Sequence, residues 1–271
     1  MRSLRTSTLL TGMALLMGPA PCAEAAGMQD APEDTRPEEP PSVAVRDAEA
    51  VAVLERSLEA MGGRRARNDL VSSRSRATLR MGDTSTEFQL LAHGKDKFVV
   101  RQTIQGLGRM EIGFDGTTGW RSDPPDQRIS PVSPREAADF RRTFDFQAML
   151  RELDLHYPTA RIQPEEMIDS TSCDVITLEG PEERLKVFFD QGTGLIKAFE
   201  ILSEKDRRRR RVVIETWSEE ARPMRWAKRL RIEQPRSTLE ADYSSVTFDD
   251  VAEATFEAPP EASVQAGATN Q

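Results

Sequence analysis

Between residues 85 and 114 the apolar positions recur every second residue. In "STEFQLLAH" Phe88, Leu90 and Ala92 fall on one side. In "DKFVVRQTIQ" Phe98, Val100 and Ile104 stand against Val99, Arg101 and Thr103, and "RMEIGF" alternates Met110, Ile112 and Phe114 with Glu111 and Gly113. A period of two predicts strands with one face buried. The breaks between them, "MGDTS", "HGKD" and "QGLG", are turn chemistry. Strand, turn, strand at this pitch predicts an antiparallel meander. The pattern resumes in "CDVITLEG", "RLKVFFD", "GLIKAFEIL", "RRVVIETWS", "MRWAKRLRIEQ" and "TLEADYSSVTFDDV". In "MRWAKRLRIEQ", Met224, Trp226, Leu230 and Ile232 share a side opposite Arg225, Ala227, Arg229 and Arg231.

Two stretches keep a helical period instead. In "VRDAEAVAVLERSLEAMGGRR", Val51, Leu54, Leu58 and Met61 follow a 3-4-3 spacing, and Gly62-Gly63 form a C-terminal cap pair. In "SPREAADFRRTFDFQAMLREL", Ser133 caps, Pro134 suits the first helical position, and a break falls near Asp145. Ten or eleven strands and two main helices predict a mainly-β α+β fold. It is one large antiparallel sheet with helices on one face, curled by its own twist.

The stretch "GFDGTTGWRSDP", Gly113 to Pro124, is the most motif-like. A Ca²⁺ loop needs several regularly spaced oxygens ending in a bidentate acid. A phosphate loop needs a Lys that is missing here. Asp115-Gly116 suits a tight hairpin, and "FFDQGTGLI" repeats the logic at Asp190 to Gly194. Both read as turns.

The N-terminus changes the picture of where this sheet works. "MRSLRTS" carries Arg2 and Arg5, an apolar run too short and too broken to span a bilayer follows, and "AEA" supplies small residues for cleavage. Residues 1–25 read as a signal peptide, so the chain is expected to be exported to the periplasm or cell envelope. The alternatives are an uncleaved N-terminal hydrophobic anchor and, less favoured because Pro21 stands where a small residue belongs, lipid anchoring at Cys22. Cleavage removes Arg2, Arg5 and Glu24, taking the net charge from −8 to −9. An acidic, exported chain is not expected to bind nucleic acid. Residues 26–43, Pro- and acid-rich, read as a disordered linker. Residues 44–258 form the domain, and 259–271 a tail.

Chemistry is sparse. Cys173 would be the only cysteine of the processed chain and reads as a small apolar strand residue. His93 and His156 lack a ligand pattern, and the acid pairs Glu165-Glu166 and Asp249-Asp250 read as surface or turn residues. No catalytic residue, metal or cofactor is assigned. Two features remain. Large apolar residues at alternating positions, Phe98, Met110, Phe114, Trp120, Phe199, Trp217 and Trp226, are candidates for a ligand cavity, although most would serve in any filled core. The run Arg207, Arg208, Arg209, Arg210, Arg211 guards a hairpin tip and strand edge, or meets anionic headgroups or an acidic partner.

A helix ending "EAMGG", then "FDGTTGWRSDP", "VFFDQGTGLIKAF" and "VTFDDVAEATFEAPP" in that order, resembles the LolA-like family of secreted, outer-membrane lipoprotein-sorting-like bacterial proteins over about residues 48–260. Phe248, Phe256 and Pro259 match its usual exit from the last strand. The resemblance implies an unclosed half-barrel with helices covering its concave face. It also implies an apolar cavity, which in the best-known members holds lipoprotein acyl chains. The expected function is a non-enzymatic envelope binding protein for a lipid, acyl chain or lipidated protein. The alternative is an interaction or sensor module with a packed core, acting through its surface at Arg207–Arg211.

Overall fold

The computed structural model describes residues 45–180, 183–202, 209–234 and 237–262. The expected signal peptide and linker lie outside them, as do Arg207 and Arg208. Thirteen strands form one antiparallel sheet: β1 (Ser72–Met81), β2 (Thr84–His93), β3 (Lys97–Ile104), β4 (Gly108–Phe114), β5 (Gly119–Asp123), β6 (Arg128–Val132), β7 (Thr159–Ile168), β8 (Thr171–Glu179), β9 (Arg184–Asp190), β10 (Ile196–Leu202), β11 (Arg209–Trp217), β12 (Ala227–Gln234) and β13 (Ser237–Phe248). Their spatial order is 6-5-4-3-2-1-13-12-11-10-9-8-7. The sheet does not close, because β6 and β7 end it on opposite sides, giving an open half-barrel. Five α-helices are described: α1 (Ala48–Met61), α2 (Gly63–Asp69), α3 (Pro134–Phe144), α4 (Phe146–Arg151) and α5 (Leu153–His156).

The meander is longer than its alternation predicts. β1, β6 and β7 were not expected as strands, and Trp226 lies just before β12 rather than inside it. β1 escapes because its inward residues Ser73, Ser75 and Ala77 are small. β6 and β7 are edge strands: Pro131 lies in β6, Pro164, Glu165 and Glu166 lie in β7, and the start of β7 is capped by a short parallel bridge from Arg46 to Ala160. The N-terminal helix also continues past its glycines. Gly62 (φ +133°) caps α1, and Gly63 (φ +90°) opens α2. In α1 the buried residues are Ala50, Val53, Leu54, Ser57, Leu58 and Met61, with Val51 only half-buried.

Both sampled turns are built as their residues dictate. Asp115 Oδ1 accepts from the Thr117 and Thr118 amides at 2.8 and 2.6 Å. Asp190 Oδ1 accepts from Gly192 and Thr193 at 2.7 and 3.1 Å. The capping box at Ser133 and Glu136 starts α3, and Asp145 ends it, capping Ala148 of α4 at 3.0 Å.

Cross-strand register assigns every side chain to a face. Ile112, Val100, Leu90, Ser75 and Val246 stand in one row across β4, β3, β2, β1 and β13. Ile162, Ile176, Val187, Phe199, Val212, Ile232 and Leu239 form a row across β7 to β13. Both rows lie on the inner face, under the helices. The outer face is also partly apolar. Leu91, Val99 and Trp120 are covered there by Val251, Phe256 and Ala262 of the C-terminal segment, so the folded chain continues past residue 258 into the expected tail. On the other half of the same face Ile168, Cys173, Val175, Phe188, Ala198 and Val213 cluster.

Trp120 needs a glycine opposite it. It pairs in register with Gly113, and a Cβ there would fall 2.1 Å from the indole Cζ2. The ring is 1% exposed and cannot swing into solvent without uncovering the outer cluster. Gly113→Ala is therefore expected to cost about 1–3 kcal/mol or more by overpacking. Urea denaturation reads it, and an unchanged midpoint would contradict this packing.

Candidate functional site

The inner face is the surface around which the rest is arranged. α1 covers its C-terminal half, burying Leu54, Leu58 and Met61. Arg56 ion-pairs with Asp174 of β8. The Arg225 amide bonds to the Met61 carbonyl at 2.6 Å. Gly62 permits this close approach, since a Cβ there would meet the Pro223 carbonyl at 2.7 Å.

α3 and α4 cover the other half and the centre. Phe144 stacks on Phe88 with ring centroids 6.0 Å apart, and Phe140 follows at 6.4 Å. α4 is fixed to the sheet by one residue. Gln147 Nε2 donates to the Ala227 carbonyl at 2.9 Å, and the Ala227 amide donates to Gln147 Oε1 at 3.0 Å, all of it buried. Beside this clasp Tyr243 is fully enclosed. Burial and then Asp145 push its phenol above the ordinary range, while Gln147 opposes the shift. The Arg151 guanidinium lies 5.6 Å from the Phe248 ring centre. Burial pulls it below its ordinary value, and the carboxylates of Asp145 and Glu152 push it back. Arg67 Nη1 bonds to Asp154 Oδ1 at 2.5 Å, tying α2 to α5.

The inner face is closely packed, with Leu90, Val100, Ile112, Ile176, Val187 and Phe199 at most 1% exposed. The void among Leu54, Ser57, Leu150, Arg151, Phe189 and Ile196 is about 10 Å³, about enough for one water. A larger hollow of about 350 Å³ lies between α2 and the Pro223 loop, lined by Gly62, Arg65, Ala66, Asp69, Leu70, Pro223 and Asp249. It is an open surface groove rimmed by the exposed Arg65–Asp69 pair, unlike the enclosed apolar chamber an acyl chain needs.

The seven sequence candidates do not form one pocket. Phe98 and Phe114 are register partners on the inner face, and Met110 shares it. Phe199 is also on the inner face, but in the other half of the sheet. Trp120 lies on the outer face. Trp217 is half-buried against the cluster of Leu58, Met61, Leu195 and Met224, its Nε1 donating to the Ile196 carbonyl at 3.0 Å. Trp226 is half-buried outside any strand. Sequence reasoning passed over Gln102, Gln147, Arg151 and Tyr243. Gln102 had a visible signal, being the polar residue that interrupts the inward series Phe98, Val100, Ile104. It is 1% exposed, and neither Nε2 nor Oε1 has a hydrogen-bond partner. Such a group costs roughly 1–3 kcal/mol.

The arginine run is partly committed. Arg209, Arg210 and Arg211 belong to β11. Arg211 Nε lies 3.7 Å from Glu200, and its guanidinium is 5.8 Å from the Phe188 ring centre, with Lys186 at 5.0 Å on the same ring. Cys173 is buried, and burial and then Asp190 push its thiol up to about 11, so it does not ionise near neutrality. His156 bonds to Glu152 at 3.0 Å, and the His93 ring centre is 5.9 Å from that of Phe256. Among the described residues no three His, Cys, Asp or Glu side chains gather as a metal site, and no helix is long and apolar enough to cross a membrane.

No family model matches the sequence, and no curated protein matches it. Solved structures do. A LolA superfamily protein from Nitrosomonas europaea superposes with a TM-score of 0.53 at 16% identity, covering 77% of this chain and 97% of that one. A DUF1329 family protein from Desulfovibrio piger gives 0.51 at 15% identity, with 77% and 97% coverage. An outer-membrane lipoprotein-sorting protein domain from Vibrio parahaemolyticus gives 0.50 at 12% identity, with 75% and 97% coverage. The fold is LolA-like.

Gln147→Leu keeps the side chain's bulk but leaves the buried amide and carbonyl of Ala227 unpaired. It is expected to cost about 2–5 kcal/mol and to speed hydrogen exchange at the Ala227 amide. Wild-type protection at that amide would contradict the clasp.

Proposed function

We propose that this chain is a non-enzymatic binding protein of the bacterial cell envelope. It takes the acyl chain of a lipid or lipidated protein between the inner face of its sheet and the helices above. One observation carries the reading. The inner face is a largely apolar surface across the half-barrel, interrupted by Ser73, Ser75 and Gln102, and its cover is a set of separate helices. The likeness to the lipoprotein-sorting protein domain of Vibrio parahaemolyticus and the signal-peptide pattern of residues 1–25 support it. Residues 26–43 then act as a tether or spacer before the domain.

The interior is filled, so a ligand has to displace protein. The gain and the cost are of similar size. Lifting α3 and α4 uncovers Phe144 and Leu150, at about 2 kcal/mol each, and gives up two Gln147 bonds, at about 1 kcal/mol each net. Burying a 14-carbon chain gains on the order of 10 kcal/mol gross, at about 0.8 per methylene. The chain would replace the helices on the inner face, so gain and opening cost are of comparable size before the roughly 4–15 kcal/mol that association itself costs.

The protein purified from its native host should yield lipid on solvent extraction. The emptied protein should take up a fluorescent fatty-acid probe, faster as Gln147→Leu. Repeated absence of lipid, together with no probe uptake by either form, would defeat the reading.

The filled interior also favours a second reading, a surface module acting through the arginine run on anionic envelope surfaces. Arg211 is held by Glu200 and Phe188, so the charge reversal that tests this reading is made at the remaining Arg207–Arg210. Reversing those four to Glu should abolish co-sedimentation with anionic phospholipid vesicles while leaving probe uptake intact. Unchanged co-sedimentation would eliminate this reading.

A further inference from the structure

Gln102 is the one inner-face side chain among the described residues with both its donor and its acceptor unpaired. Its register partners are Phe88 on β2 and Met110 on β4, and its neighbours along β3 on the same face are Val100 and Ile104. Phe88 carries the stacked Phe144 of α3, and α3 lies against β4. The carboxamide therefore sits in an apolar bed directly beneath the helix that has to lift if a chain enters. A buried amide in such a bed calls for a partner of matching shape.

The partner's chemistry follows from the two orphaned atoms. A carboxamide presents an N–H and a C=O side by side. A group that satisfies both at once must offer an acceptor and a donor on the same planar edge. A carboxylic acid does so: its carbonyl accepts from Nε2 and its hydroxyl donates to Oε1. A primary amide does the same. An ester satisfies Nε2 and leaves Oε1 unpaired. A carboxyl buried among Phe88, Val100, Ile104 and Met110 stays protonated, because a low-dielectric bed disfavours the charged form. We infer that Gln102 is the recognition group for a free fatty acid, bound carboxyl-inward as the neutral acid between β3 and α3. The inference rests on the acyl-chain reading and names its ligand.

The test is displacement of a fluorescent fatty-acid probe from the full processed chain by palmitic acid, palmitamide and methyl palmitate. Acid and amide are expected to displace it alike, and the ester about tenfold more weakly, the worth of one satisfied pair in a buried site. In Gln102→Leu the three should become equal, with the denaturation midpoint raised because an unpaired polar group is gone. Gln102→Met, of similar length, guards against a packing artefact and should behave the same way. An ester as potent as the acid on wild-type protein overturns the inference and leaves the acyl-chain reading standing. So does a preference that survives in both variants. Failure of the probe to bind at all removes both.

Discussion

The structure depends on keeping the inner face of an open thirteen-stranded sheet out of water. A closed barrel fills its own interior; this sheet ends at β6 and β7 and must be covered by something else. The cover comes in two parts, α1 with α2 over the C-terminal half and α3 with α4 over the centre and the other half. Each part is joined to the sheet side through backbone groups, by the Arg225 amide to Met61 and by Gln147 to both polar groups of Ala227. Both attachments lie in the segment running from Pro223 into β12, so the start of that strand is a common anchor for the two halves of the cover. Apolar burial supplies the driving force and these few hydrogen bonds fix the position.

The outer face meets the same constraint differently. Around Trp120 the C-terminal segment lies over Leu91 and Val99, and Lys97 pairs with Glu253 of that segment. Around Phe188 the apolar surface is roofed by Lys186 and Arg211, whose aliphatic stems and charged heads cover the ring. Consequently the chain's large side chains divide between two surfaces of different purpose. Those of the inner face pack beneath the helices. Those of the outer face hold the sheet's back together and have fixed partners.

This division explains what could be read from the sequence. Strand alternation, the Asp115 and Asp190 turns and the Ser133 cap are local devices, and residue order displays them. The half-barrel followed from their succession. β1 stayed hidden because its inward positions are the small Ser73, Ser75 and Ala77. Parity alone could not sort the seven large residues, because both faces are partly buried. Trp120 alternates as cleanly as Phe98 yet points the other way, and only the cross-strand register shows it. Gln147 was invisible for a different reason, since its partner is the backbone of Ala227, eighty residues away.

The most direct measurement asks which face meets the ligand. With a nitroxide-labelled fatty acid bound, the methyl resonances of Val100, Ile112, Val212 and Ile232 should broaden much more strongly than those of Leu91, Val99, Val175 and Val213. Broadening stronger on the second set, or equal on both, would contradict the account.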